Sequence, residues 1–163
     1  MNLLKHSSSL YLRLSVLFMG LMALAICVFG IPVIAKDVEE SMEIKYASLF
    51  IMSLMYFATV GFLVCLYQAL RLLSYIDKNK AFSQQSVNSL KNIKYCAIYI
   101  ALVLAPLMPI VYLVADKDDA PGLILIAATI FLFAPSVVAI FAAVLQRLFQ
   151  DAITIKSENE LTV

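Results

Sequence analysis

The sequence predicts an all-α polytopic membrane protein: four transmembrane helices folded as two antiparallel hairpins, with both termini in the cytosol (N-in/C-in). Three observations predict it. Hydrophobic residues make up 63% of the chain and charged ones 14%, against roughly half and a quarter in a soluble domain. A fold of this length leaves much of its surface exposed, so it has nowhere to hide that excess from water. Four long windows hold no Asp, Glu, Lys, Arg or His. The basic residues gather in alternate connections, as in chains oriented by positively charged inner loops.

The first window, Leu14 to Ala35, reads LSVLFMGLMALAICVFGIPVIA. Lys5 and Arg13 precede it, and Val33-Ile34-Ala35 near its end resembles a signal-peptide cleavage site. Its apolar run of about 20 residues exceeds the 7–15 of a signal core, so a retained helix is expected. The second window is Tyr46 to Leu70, the third Tyr95 to Ala115 and the fourth Gly122 to Leu145. Each supplies the roughly 20 apolar residues a crossing needs. None alternates in polarity, which argues against barrel strands. The expected organisation is one membrane domain over residues 1–163, with helices at about 14–35, 46–70, 95–115 and 122–145, a cytosolic loop at 71–94 and a cytosolic tail at 146–163.

Charge sets the orientation. An even number of crossings places the N-terminus, the middle loop and the tail on one side. That side carries Lys5, Arg13, Arg71, Lys78, Lys80, Lys91, Lys94, Arg147 and Lys156, leaving Lys36, Lys45 and Lys117 on the other. Short loops rich in Lys and Arg stay in the cytosol, so both ends are expected inside. The outer connections are short, which presses the first helix against the second and the third against the fourth.

Prolines bend the two later helices. Pro106 and Pro109, in APLMPI, and Pro135, in FAPSV, each remove a backbone donor and crowd the preceding turn. The expectation is kinks healed by neighbouring helices rather than a binding site. Pro32 and Pro121 are read as helix-end prolines, Pro121 at a first-turn position.

The loop and the tail carry the remaining local signals. In AFSQQSVNSLKNIKYC, Ser83 has the character of an N-cap, with Phe82 and Val87 at the spacing of a hydrophobic staple. Val87, Leu90, Ile93 and Ala97 recur at helical intervals. The third helix therefore starts about three turns before the bilayer. Past the fourth window, Leu145, Leu148, Ala152 and Ile155 keep a helical stripe, followed by Glu158, Asn159 and Leu161 near the end. A tail of this kind can dock against the Phe82 loop to form one cap. Phe82, Ser83, Val87, Leu90, Glu158, Asn159 and Leu161 are the candidate partner-binding residues of that cap. Arg71, Lys78, Lys80, Lys91 and Lys94 are candidate contacts to anionic lipid headgroups, at roughly a kilocalorie each near the surface. They are too few and scattered for direct nucleic-acid binding.

Catalytic chemistry is hard to assemble from the rest. His6, the only histidine, lies in a polar segment beside three serines and is read as solvated. Asp116, Asp118 and Asp119 are read as topology charge rather than a cation site. Cys27, Cys65 and Cys96 show no ligand spacing and are read as small buried hydrophobes. The expectation is no enzyme: no catalytic, metal or cofactor-binding residues and no cofactor. A coupled transporter usually keeps a carboxylate in the hydrocarbon, and these windows hold none. An uncoupled carrier of a neutral lipophile or a structural scaffold stays as the alternative, and a homo-oligomer is compatible with either.

The closing ENELTV and the loop AFSQQSVNSLKNI resemble the bacterial membrane-protein family known as domain of unknown function 2975. Ala81 stands where that family usually has proline, and Gln84-Gln85 where it has an acidic residue. The resemblance implies a small inner-membrane protein of unsettled activity. It also implies pairing with a small cytosolic helix-turn-helix regulator, hence regulation, sensing or sequestration.

Overall fold

The computed structural model describes residues 2–34, 36, 45–78, 80–115 and 121–161. These residues are helical almost throughout, with no strand among them. α1 spans Asn2–Ala25 and runs into a π-helical turn, Ile26–Gly30. α2 is Lys45–Asp77, α3 Gln84–Leu104, α4 Leu107–Ala115 and α5 Pro121–Leu161. Four stretches are long and apolar enough to cross a bilayer: Leu10–Ile34, Ser48–Asp77, Gln84–Leu113 and Gly122–Asn159.

The prolines act in four different ways. Pro32 lies inside the helical run 31–34 rather than at its end, and the disturbance appears upstream. The N–H of Ile31 donates to the carbonyl of Ile26 five residues back, the widened spacing of a π turn. A proline ring crowds the carbonyl four residues before it, and widening the preceding turn relieves that contact. Pro106 and Pro109 together break the third span into α3 and α4 at Ala105–Pro106. The break stays partly bonded: Ala105 N–H donates to Ala101 O at 3.0 Å and Met108 N–H to Ala105 O at 3.2 Å. Pro135 alone leaves α5 continuous. Pro121 opens α5, where its missing donor costs nothing.

α3 is the central helix, with its most extensive contacts to α2 and α5; α4 also packs on α5, whereas α1 touches mainly α2. A buried cluster joins Ile51 and Ala58 of α2 to Ile100 and Leu104 of α3 and Leu107 of α4. Gly61 explains how closely α2 and α3 approach. A Cβ at that position would lie 2.9 Å from the Tyr99 ring and 3.0 Å from Ile100 Cγ1. Gly20 of α1 rests against Leu66 of α2 at ordinary contact distance. Arg13, midway along α1, meets Asp77 at the end of α2, while the later Gly20 meets the earlier Leu66, so these two helices run in opposite directions.

Candidate functional site

Among the described residues, one end of the helical array gathers most of the polar side-chain contacts. α2 closes there with Lys80 N–H donating to Tyr75 O at 2.9 Å, a six-to-one bond that satisfies a last-turn carbonyl. Asn79, in the chain position that helix ends favour for glycine or asparagine, lies outside the described residues.

Ser83 then starts α3 as its spacing predicts. Its backbone is extended, at φ −131° and ψ 154°, and its Oγ accepts from Ser86 N–H at 3.4 Å. Ser86 adds a contact that the capping pattern did not reveal: its hydroxyl donates to Lys80 O at 3.1 Å. Ser86 is 0% exposed, so that bond prevents a buried hydroxyl from going unsatisfied. A capping box would instead turn the third-position side chain back to the N-cap N–H, so the bond to Lys80 had no local sequence signal. The chain between α2 and α3 is thereby tied at both ends.

The apolar stripe of α3 is buried as its periodicity predicts: Val87, Leu90, Ile93 and Ala97 are all in the core. This changes what the candidate partner residues do. Val87 at 3% exposure and Leu90 at 2% are occupied by the protein itself. Ser83 is half-buried and engaged in capping. Phe82 is 58% exposed and sets its ring beside Phe149 of α5, with centroids 5.3 Å apart and planes tilted by 54°. Such a pair contributes about 0.5–1.5 kcal/mol beyond burial. It joins the loop to α5 across a long sequence separation. Local spacing pointed Phe82 toward Val87 and gave no hint of Phe149.

Glu158 and Asn159 are exposed on the last turns of α5, while the side chain of Leu161 is outside the described set. The stripe predicted for the tail does not face inward. Leu145, Leu148 and Ile155 are exposed. The face turned inward instead contains buried Ala139 and Ala142 and half-buried Gln146, Phe149 and Ile153.

Of the candidate lipid-facing basic residues, Arg71, Lys78, Lys80 and Lys91 are exposed and Lys94 is half-buried. Arg71 Nε donates to the Tyr75 hydroxyl at 2.8 Å, and its guanidinium lies 5.8 Å from that ring. Lys94 Nζ stands 5.1 Å from the Tyr95 ring. Both cations thus rest beside aromatic rings. Arg13 and Asp77 add an interhelical ion pair at 2.6 Å on the same end.

Two further features lie within the spans. Gln68 Oε1 of α2 is buried without a hydrogen-bond partner among the described residues. Along α1, Leu14, Ser15, Leu17, Phe18 and Leu21 line an open, almost wholly apolar groove of about 500 Å³. No three His, Cys, Asp or Glu side chains converge among the described residues. Asp116, Asp118 and Asp119 fall outside them.

Four apolar spans with one ordered polar end define a multi-pass helical membrane protein that lives in a lipid bilayer. Residues 6–163 match the family described as Protein of unknown function (DUF2975), and the chain belongs to that family. It is 47% identical over 161 residues to a Bacillus subtilis (strain 168) protein named "Uncharacterized membrane protein YoaS", covering 98% of this chain and all of that one. No solved structure gives a significant match.

Proposed function

We propose that this protein is a non-catalytic, multi-pass protein of the bacterial cytoplasmic membrane whose ordered cap docks a cytosolic protein. The cap comprises residues 78–83, the first turns of α3 and the last turns of α5. In this reading the helices form two hairpins with both termini inside, and the docked partner is a small helix-turn-helix regulator held at the membrane. The carrying observation is the order of the connection between α2 and α3. A loop that merely linked two spans would have no need of a capped start, a buried serine bonded back across it and an aromatic clasp to α5. The face left for a partner is Phe82 with the exposed Gln84, Gln85, Asn88 and Asn92. Val87 and Leu90 act beneath it by holding that face in place. Glu158, exposed on the last turns of α5, is a further candidate for that contact.

A photo-crosslinking side chain at Gln84 or Asn88, activated in living cells, tests the proposal. The expected product joins this chain to a soluble helix-turn-helix protein. Products containing only lipid contradict the docking reading. They favour the alternative of an uncoupled carrier of neutral lipophiles, for which the apolar groove on α1 is the supporting observation.

A further inference from the structure

α5 is far longer than a crossing requires. Its 41 residues extend about 60 Å at 1.5 Å each, whereas the hydrocarbon layer is about 30 Å thick. From Gln146 and Arg147 onward the sequence turns polar, so the last four turns stand in water. Yet Leu148 is 56% exposed and Ile155 65% exposed on that segment. Lipid does not cover them there, and neither does the rest of the chain.

Their spacing is specific. Leu145, Leu148, Ala152, Ile155 and Asn159 alternate by three and four residues, the a and d positions of a heptad repeat. The same alternation runs back into the membrane through Phe141 and Val138, both exposed. This seam lies roughly a third of a turn around the helix from the Ala142, Phe149 and Ile153 face that turns inward. Both faces can therefore be covered at once.

We propose that the exposed seam of α5 pairs with the same seam of a second copy, giving a parallel two-stranded coiled coil that projects from the membrane. Three features select a second copy over another occupant. A two-fold axis along the membrane normal makes the helices of two copies parallel by construction. In that register Asp151 takes a g position and Lys156 the e position five residues on, so each copy sets a negative charge opposite a positive charge of the other. Asn159 occupies an a position, where a buried Asn pair fixes parallel register in two-stranded coils. The pairing places two caps side by side. It goes beyond the docking proposal and stands whether or not a cytosolic partner exists.

The test uses the full-length protein in native membranes, with Cys27, Cys65 and Cys96 replaced by alanine. Single cysteines are placed at Leu148→Cys and Ile155→Cys, both d positions, and at Gln150→Cys, an exposed f position on the opposite side. Mild oxidation should trap a disulfide-linked species of twice the chain mass at the two d positions and lose it at Gln150→Cys. Combined with Leu148→Cys, Asp151→Lys or Lys156→Asp alone should weaken trapping, and the two together should restore it. Equal trapping at positions 148 and 150, no trapping at either d position, or a product of any other mass would overturn the proposal. A partner crosslinked at Gln84 or Asn88 would be unaffected by these outcomes, so the two readings fail separately.

Discussion

α1 and α3 are both apolar enough to span a membrane, yet they occupy opposite places in the fold. Only 6% of the first span's most apolar stretch is buried inside the protein, against 22% for the third. α3 lies between α2 and α5, whereas α1 leans mainly on α2. The difference shows that hydropathy identifies what crosses the bilayer but not what forms its centre. Lipid tails are as apolar as leucine, so a lipid-facing helix and a core helix can have the same composition. They are distinguished by what lets backbones approach. α3 has Gly61 opposite it and a start capped by Ser83, while α1 has an ordinary contact at Gly20 and an ion pair at Arg13, midway along it.

Substitutions on the two helices should separate them. The largest effect is expected at Leu90→Ala, which empties a fully packed site on α3. Losses at such sites are about 2–5 kcal/mol. The matching change Leu21→Ala on α1, where the side chain is 66% exposed, should leave stability nearly unchanged. Thermal denaturation in one detergent compares the pair, and equal losses would abolish the distinction.

Gly61→Ala comes next. The new methyl must move the Tyr99 ring or part α2 from α3, and overpacking of this kind costs about 1–3 kcal/mol. Gly20→Ala, with its nearest neighbour at 3.5 Å, is the control and should be close to neutral. The smallest effect is expected from Arg13→Ala. It removes the Arg13–Asp77 pair, whose arginine is about half exposed, and such pairs contribute at most about 1 kcal/mol and are screened by salt. A spin label on α1 should gain mobility relative to α2, and high salt should reproduce that gain in the parent protein.

Much of this was legible in the sequence, for identifiable reasons. Charge-free runs marked the four spans because ionisable groups are costly in hydrocarbon. Ser83 marked the start of α3, and Val87, Leu90, Ile93 and Ala97 marked its buried face, since both signals are local. What the sequence could not supply was the choice of neighbours. Val87 and Leu90 looked suited to a partner, but α3 is central and uses them itself. The tail stripe beginning at Leu145 looked like the packing face; the inward face instead runs through Phe149, the residue beside Phe82. Periodicity finds an apolar face without saying which molecule covers it. The reach of Pro32 was not legible either, because its effect falls on Ile26–Gly30 rather than on its own position.

Docking of a cytosolic protein requires the cap to lie in the cytosol. The direct measurement is labelling of intact cells by a membrane-impermeant thiol reagent, using single cysteines at Lys80→Cys and Asp118→Cys in a background without the three native ones. The predicted result is labelling at position 118 from outside and at position 80 only after permeabilisation. Labelling of position 80 in intact cells with position 118 protected would place the cap on the far side of the membrane and contradict the account.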